Sequence, residues 1–263
     1  EKKMLKLKWN IDKESGMKFN NTEVFNFEGA LRGMRNPMNS WDKSDSSYCC
    51  QDDTIDCDIC PHSKNMACRM MTEYGYIIGQ NDLKLAQNLI KAGTEHCKFM
   101  RQIMLSVDIT APLYWWKEFD TYKVGTTANS TSTMHKLSTT PITLDCFETD
   151  DYDENLGNYF SIPDNAKERD FGYLAEDVGF IIELLENLRQ TYLETKDIHY
   201  WKELLRWLPN SWLQTRTITM NYENVRNMYW QRVKHPHKLT EWRNGFGKWV
   251  ESLPYSKELI MFE

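Results

Sequence analysis

A strand that runs directly into a helix near the middle of the chain limits the possible folds more than any other feature. Every second residue from 103 to 109 is apolar, and Ser106 and Asp108 between them are polar. A period of two residues is typical of a strand with one buried face. The apolar members are Ile103, Leu105, Val107 and Ile109. We predict that Pro112, which follows this strand, lies in the first turn of the next helix, where its missing N–H leaves no hydrogen bond unmade.

Helical periodicity dominates the C-terminal half of the chain. Apolar residues recur at helical spacing in residues 170–194, which predicts a long helix, and a second helix is predicted over residues 198–207. Asn81 is the predicted N-cap of a helix that ends at Gly93. Further helices are predicted at 221–231 and 239–250, a strand followed by a short helix at 25–34, and strands at 4–9 and 215–219.

The composition is that of a globular protein without a polyanionic partner. The 263 residues are 41% hydrophobic, and 32 basic against 38 acidic residues give a formal net charge of -6. Nucleic acid is therefore not an expected partner, and any phosphate site must be local. No apolar run reaches the roughly 18 residues needed to span a bilayer, and the N-terminus does not resemble a signal peptide. These features predict a cytoplasmic protein without a membrane partner.

We predict a single domain over residues 1–263 with two polar insertions. The insertion at about 145–157 is acidic and is predicted to be a solvated loop. The insertion at about 42–70 is rich in cysteine and is a candidate metal site. Within it, Cys57 and Cys60 have the two-residue gap that lets two thiolates bind one ion, and Cys50 and Cys68 would complete a tetrahedral set. Structural zinc is the favoured interpretation, an iron–sulfur cluster uses the same ligands, and a loop with free thiols is the alternative.

A hydroxyl-rich tract follows the central strand and helix. Residues 126–133 are nearly all Ser, Thr or Asn, and Lys136 lies just beyond them. Backbone N–H groups, hydroxyls and one lysine could together bind a phosphate. The alternative is a polar loop or an exposed strand, because β-branched Thr is common in strands.

A second polar group lies later in the chain. Asn221, Asn227 and Arg232 are spaced along a predicted helix, and His237 follows it. A planar guanidinium that is always charged can hydrogen-bond a carbonyl and stabilise a developing negative charge at once. The alternative is a helix with a solvated polar face.

Together these segments resemble the flavin-dependent thymidylate synthases, the ThyX family, and in particular a divergent phage-type member. The resemblance implies a ThyX-like α+β fold, in which a central antiparallel sheet packs against helices, and a homotetramer. The residues that carry it are Ala111-Pro112, the tract at 126–133 with His135-Lys136-Leu137, Leu208-Pro209, Thr217–Asn221, Asn227, Arg232 and His237.

The resemblance also implies an activity, which is C5 methylation or a related one-carbon modification of a deoxyuridine nucleotide. FAD would be the cofactor, and NADPH and methylenetetrahydrofolate the cosubstrates. Arg232 would be the catalytic residue that polarises the pyrimidine. The implied substrate contacts are Glu118, Ser130, Ser132, Lys136 and Arg232, and the implied flavin contacts are Lys123, Asn221, Asn227 and His237.

The signature of the family is altered in this chain. The flavin-binding Arg-His-Arg triplet of the family falls on Thr121, Tyr122 and Lys123, of which only Lys123 keeps a positive charge. Thr133 stands where the family has a phosphate-binding arginine, and Glu223 replaces a further family arginine. These changes support a second hypothesis, a catalytically inactive ThyX-like protein that senses or sequesters a nucleotide.

Overall fold

The computed structural model describes residues 16–48, 75–150, 175–235 and 237–263. The described residues belong to two compact units. The first unit comprises Glu1–Thr110, Phe119–Asn129 and Arg216–Glu263, and the second comprises Ala111–Glu118 and Ser130–Thr215. The predicted strand at 4–9 and most of the cysteine-rich insertion lie outside the described residues. The single domain over residues 1–263 stays a prediction.

Within the described residues, four strands form one sheet and two short strands form a second, antiparallel pair. The strands are β1 (Lys18–Phe25), β2 (Ser47–Tyr48), β3 (Tyr76–Ile77), β4 (Met104–Pro112), β5 (Thr127–Ser130) and β6 (Leu213–Asn221). The larger sheet has the order β1-β4-β6-β5, and β2 pairs with β3. β1 runs antiparallel to β4, with Phe25 opposite Met104 and a bulge between Asn20 and Glu23. An antiparallel sheet combined with helices confirms the predicted α+β class.

The helices largely follow the predicted periodicity. In the described ranges they are α1 (Phe27–Arg35), α2 (Gln80–Ala92), α3 (Leu113–Phe119), α4 (Thr133–Thr139), α5 (Ala175–Thr195), α6 (Ile198–Trp207), α7 (Tyr222–Met228) and α8 (Lys248–Ser252). The helix at 198–207 is confirmed at both ends. The helices predicted at 221–231 and 239–250 are confirmed in part, because π-helical turns occupy Tyr229–Lys234 and Trp242–Gly247.

The central strand β4 buries one face, as its alternation predicts. Leu105, Val107 and Ile109 are fully buried, and the polar residues between them are half-buried. The prediction for Pro112 is wrong, because this residue ends β4 and the helix begins at Leu113. An extended backbone suits proline where the strand ladder stops. The first N–H of the helix, that of Leu113, instead donates to the carbonyl of Trp212 at 3.0 Å.

A distant carboxylate caps α2 in place of the predicted Asn81. The helix begins at Gln80, and the Asp45 side chain accepts the backbone N–H groups of Asn81 at 2.9 Å and Asp82 at 3.1 Å. An anionic side chain satisfies unpaired N–H groups and is favoured by the helix dipole. The cap prediction is therefore wrong, since the capping residue comes from a segment that sequence spacing does not connect to α2.

The same region contains a buried ion pair that anchors the start of the cysteine-rich insertion. Arg35 Nε lies 2.6 Å from an Asp82 carboxylate oxygen, and both side chains are almost fully buried. The hydroxyls of Ser44 and Ser46 donate to the other oxygen, at 2.6 and 2.5 Å. Burial favours the neutral acid, but the hydrogen bonds from Ser44, Ser46 and Arg35 outweigh it and lower the pKa of Asp82.

The second unit has its own apolar core. Its buried members are Leu137, Ile142, Phe147, Leu185 and Leu204. Beside it, the Glu186 carboxylate of α5 accepts the Arg189 guanidinium at 2.5 and 2.8 Å and the Ile142 backbone N–H at 2.8 Å. Arg189 also donates to the Ser138 carbonyl of α4 at 3.0 Å, so this hydrogen bond joins α5 to α4. Among the helices in the described ranges, none has the length and apolar character needed to cross a membrane.

Candidate functional site

Arg232 lies against two aromatic rings in the first unit. Its Nε donates to the Tyr122 hydroxyl at 2.9 Å. The guanidinium carbon is 5.7 Å from the ring centroid of Tyr122 and 5.9 Å from that of Trp242. These two rings meet edge to face with their centroids 6.3 Å apart, and Trp242 is fully buried. A guanidinium is attracted to an aromatic face by the ring quadrupole, so the cation is stabilised while half-buried.

The backbone around Arg232 departs from regular α-helix. α7 ends at Met228, and the chain continues as the π-helical turn Tyr229–Lys234. Such turns are rare in proteins overall, and those that occur are often found at functional sites. The residue before Arg232, Gln231, accepts a hydrogen bond from the same Tyr122 hydroxyl at 3.0 Å. One phenol therefore contacts two consecutive residues of the turn.

Asn221, a predicted flavin contact, caps α7. Its Oδ1 accepts the backbone N–H of Asn224 at 2.9 Å, and the Asn224 side chain accepts the N–H of Asn221 at 3.3 Å, which makes a reciprocal capping box. The Asn224 amide also donates to the Val124 carbonyl at 2.7 Å. Gly125 has a φ of 77°, and a Cβ there would stand 3.1 Å from the Asn224 Oδ1. The turn beside the cap thus requires glycine.

The other predicted flavin contacts belong to the same unit. Lys123 and Asn227 are exposed, and His237 is half-buried. His237 Nδ1 accepts the backbone N–H of Leu239 at 3.1 Å, so a neutral ring carries its proton on Nε2. Its ring meets Trp242 edge to face at 6.5 Å. Trp242 therefore contacts both His237 and Arg232, two residues that sequence reasoning selected without this link.

The charge reversal at Glu223 is compensated within the unit. The Glu223 carboxylate forms an ion pair with the Arg101 guanidinium, with Nη2 at 3.1 Å from one oxygen. Hydrogen bonding to Glu223 raises the pKa of Arg101. The next arginine of α7, Arg226, donates to the carbonyls of Ile260 at 2.7 Å and Leu259 at 3.3 Å, and burial lowers its pKa. Both arginines therefore have structural partners.

The predicted phosphate contacts belong to the second unit, as does Glu118. Ser130 and Lys136 are exposed, and Ser132 and Glu118 are half-buried. Thr131 N–H donates to the Thr215 carbonyl at 2.8 Å, and the Gln214 amide donates to the Thr131 carbonyl at 3.0 Å. The exposed-strand alternative is confirmed for Thr127–Ser130, which forms β5 with all four residues exposed. Phosphate binding by this tract stays a prediction.

Sequence reasoning missed three neighbours of Arg232, namely Tyr122, Gln231 and Trp242. A signal existed for Tyr122, since an aromatic hydroxyl in place of a family histidine can accept an arginine N–H. Trp242 could not be found from spacing, because the chain between the turns at Tyr229–Lys234 and Trp242–Gly247 is not a continuous helix. Contacts across such a break depend on the tertiary fold.

The predicted metal ligands Cys50, Cys57, Cys60 and Cys68 lie outside the described residues. Among the residues that the structure describes, no group of three His, Cys, Asp or Glu side chains is arranged to hold a metal ion. The two described cysteines, Cys97 and Cys146, are free thiols. The metal site stays a prediction.

Comparison with known proteins identifies the fold. No family model matches the chain, and no curated protein matches it. Two solved structures of ThyX from Helicobacter pylori with FAD and dUMP are similar to it. One is 15% identical and aligns with 90% of this chain and 94% of that one, and the other is 14% identical with coverages of 92% and 95%, each at a TM-score of 0.55. At such low identity the likeness concerns the fold alone, and the fold of this chain is ThyX-like.

Proposed function

We propose that this protein is a FAD-dependent enzyme that modifies C5 of a deoxyuridine nucleotide, as a thymidylate synthase does. The observation that carries the proposal is the setting of Arg232 within a ThyX-like fold. A half-buried guanidinium held against two rings is partly desolvated, and a charged donor in a partly desolvated setting interacts more strongly with a ligand carbonyl. The two similar structures contain FAD and dUMP, which supports these ligand classes.

The predicted flavin contacts in the first unit have side chains whose chemistry suits flavin binding. Lys123 is an exposed cation suited to a diphosphate oxygen, and Asn227 is an exposed amide suited to the edge of a flavin ring. Asn221 uses its Oδ1 for the helix cap, so its amide nitrogen would be the group that contacts flavin. His237, with its proton on Nε2, would act as a hydrogen-bond donor.

The protein's own contribution to the reaction is orientation and polarisation. Bound flavin would supply hydride chemistry, with NADPH as reductant and methylenetetrahydrofolate as the one-carbon source. Arg232 would donate to a pyrimidine carbonyl and stabilise the negative charge that develops on it. Ser130, Ser132 and Lys136 would hold the nucleotide phosphate, and Glu118 would contact the nucleotide. These roles, and assembly as a homotetramer, rest on the resemblance.

A specific observation favours a second candidate, a nucleotide-binding protein of the same fold without catalysis. Of the flavin-binding triplet only Lys123 is cationic, and Tyr122 is engaged with Arg232 and Gln231. Glu223, which stands where the family has an arginine, forms an ion pair with Arg101. Each lost charge-assisted contact weakens binding by about 1.5–3 kcal/mol, so the changes at Thr121 and Tyr122 would reduce flavin affinity.

The test is reconstitution with FAD. We expect an absorbance band at about 450 nm that remains after desalting, typical of a bound flavin. We also expect a rise in melting temperature, and consumption of dUMP when NADPH and methylenetetrahydrofolate are added. Binding of dUMP without any spectral or thermal response to saturating FAD would establish the second candidate. Failure to bind either ligand would exclude both.

A further inference from the structure

The Tyr122 hydroxyl forms hydrogen bonds with two side chains of one helical turn. It accepts the Arg232 Nε–H at 2.9 Å and donates its own proton to Gln231 Oε1 at 3.0 Å. A phenol has one donor and two acceptor lone pairs, so its donor and one acceptor are both in use. A hydroxyl that donates to an amide is polarised and becomes a better acceptor for the arginine.

This arrangement requires the turn to bring neighbouring side chains together. Consecutive helical residues point about 100° apart, and neighbours in sequence do not normally face one another. Here Gln231 and Arg232 lie in a π-helical turn, and both reach one oxygen atom. The position of Tyr122 is itself restrained, since its N–H donates to the Phe119 carbonyl at 2.9 Å and its carbonyl accepts the Thr126 hydroxyl at 3.0 Å.

The bond to Nε restricts the direction of the guanidinium. Nε is the attachment point of the planar group, so a partner there restricts rotation of the whole plane. The rings of Tyr122 and Trp242 lie within 6 Å of the guanidinium carbon and restrict the plane further. The planar group of Arg232 is thereby set in direction before any ligand binds.

We infer that Tyr122 is a positioning residue. Its hydroxyl orients the guanidinium of Arg232, so that Arg232 already has the direction in which it binds the nucleotide. The second part rests on the proposed function, in which Arg232 binds the pyrimidine. A preset side chain loses less conformational entropy when the ligand arrives, so the hydroxyl contributes to affinity without touching the nucleotide.

The experiment compares Tyr122→Phe with wild type, and Tyr48→Phe is the matched control because the Tyr48 hydroxyl donates to another charged side chain, Glu28, at 2.7 Å. Ligand-free hydrogen exchange of the Arg232 Nε–H is measured by NMR with ¹⁵N-arginine, and the signal is assigned by its loss in Arg232→Lys. We expect exchange to be several-fold faster in Tyr122→Phe and unchanged in Tyr48→Phe. Unchanged exchange in Tyr122→Phe would overturn the inference.

The second readout is dUMP affinity in a double-mutant cycle. Tyr122→Phe should weaken binding about five- to tenfold, which is about 1–1.4 kcal/mol. It should have little further effect in the Arg232→Lys background, because lysine offers no Nε to hold. An equal loss in both backgrounds would mean that Tyr122 acts only by supporting the fold, and would overturn the inference.

The two readouts separate failure of the inference from failure of the proposed function. If the wild type binds no dUMP, the proposed function is wrong, and the exchange rate still decides whether Tyr122 orients Arg232. Melting temperature of each variant is measured alongside, and Tyr122→Phe should melt within a few degrees of the control, since one partly exposed hydrogen bond contributes little to the free energy of unfolding.

Discussion

At Arg232, most of the surface of a charged side chain is removed from water. Loss of hydration is unfavourable for a cation unless other groups replace it. The Tyr122 hydroxyl and two aromatic rings provide that replacement. The hydroxyl acts through a hydrogen bond at Nε, and the rings act through their quadrupoles. A guanidinium has five N–H donors, so a group bonded at Nε can also donate to an electron-rich ligand.

We therefore predict that Arg232→Ala weakens binding of dUMP by about 1.5–3 kcal/mol, the contribution of a charge-assisted contact. Lys238→Ala is the control, because Lys238 is exposed and an exposed charge contributes under about 1 kcal/mol. Isothermal titration with each variant measures the difference. Equal losses in the two variants would show that net charge alone governs binding.

At the scale of elements, the start of α7 combines a structural role with a proposed ligand contact. Asn221 satisfies the backbone N–H of Asn224 and is itself bonded by the Asn224 side chain. Asn224 also binds the Val124 carbonyl in the turn that contains Gly125. The cap therefore joins α7 to the segment that carries Lys123, and changes at Asn221 will affect both stability and the flavin contact.

Two substitutions separate these roles. Asn221→Ala should lower the free energy of unfolding by about 1 kcal/mol, the usual effect of losing a cap, whereas Asn221→Ser should retain most of it because serine also caps helices. Both should reduce FAD affinity if the amide contacts flavin. Asn227→Ala, at an exposed site, should leave the melting temperature unchanged and reduce FAD affinity. Normal FAD affinity in Asn221→Ser would assign Asn221 a capping role alone.

The ion pair between Glu186 and Arg189 within α5 makes the stability of the second unit depend on pH. Hydrogen bonds from Arg189, opposed by partial burial and supported by the Ile142 N–H, lower the pKa of Glu186 from 4.5 to about 2. A carboxyl group with a depressed folded pKa contributes stability above its unfolded pKa. That contribution is fully present above about pH 4.5 and is lost as the pH falls through about 2.

We predict that Glu186→Gln lowers the free energy of unfolding at pH 7 by about 2 kcal/mol, less than the 3–5 kcal/mol typical of a fully buried pair, because Glu186 is 26% exposed. The difference from wild type should shrink as the pH falls from about 4.5 toward 2. Glu183→Gln, at an exposed position of α5, is the control and should change stability little. Melting temperature as a function of pH provides the measurement, and a pH-independent difference would contradict it.

At the scale of the whole molecule, the cysteine-rich insertion is the feature that the ThyX resemblance does not supply. Its first residues are anchored in the first unit, where Ser44 and Ser46 bind the buried Asp82 carboxylate and Asp45 caps α2. The predicted metal ligands follow this anchored start and lie outside the described residues.

Metal analysis should find one zinc or iron site per chain. Cys57→Ser and Cys60→Ser should each lower metal occupancy and melting temperature, because thiolate ligands couple metal binding to folding. Cys146→Ser is the control, since Cys146 lies outside the cluster and is a free thiol. If the protein contains no metal and all three variants have the same melting temperature, the alternative interpretation, a loop with free thiols, is supported.

Much of the fold was predictable because local patterns encode it. The alternation at 103–109 gave β4 its buried face, and the helix at 198–207 was found at both ends. Predictions at element boundaries were less accurate. Pro112 suits either a strand end or a first helical turn, and only the tertiary structure, in which β4 extends to Pro112 and the helix begins at Leu113, distinguishes the two positions. The cap of α2 came from Asp45, which no local pattern connects to that helix.

The amino-acid sequence by itself determined the α+β class, most elements, and the choice of Arg232 as a candidate, because residue type and spacing are local properties. Tertiary structure alone decided what surrounds Arg232. Tyr122, Gln231 and Trp242 come from two separate segments of the first unit. The direction of a guanidinium and the strength of its interaction with a ligand depend on desolvation, aromatic faces and hydrogen-bond partners. These are set by which distant segments pack together.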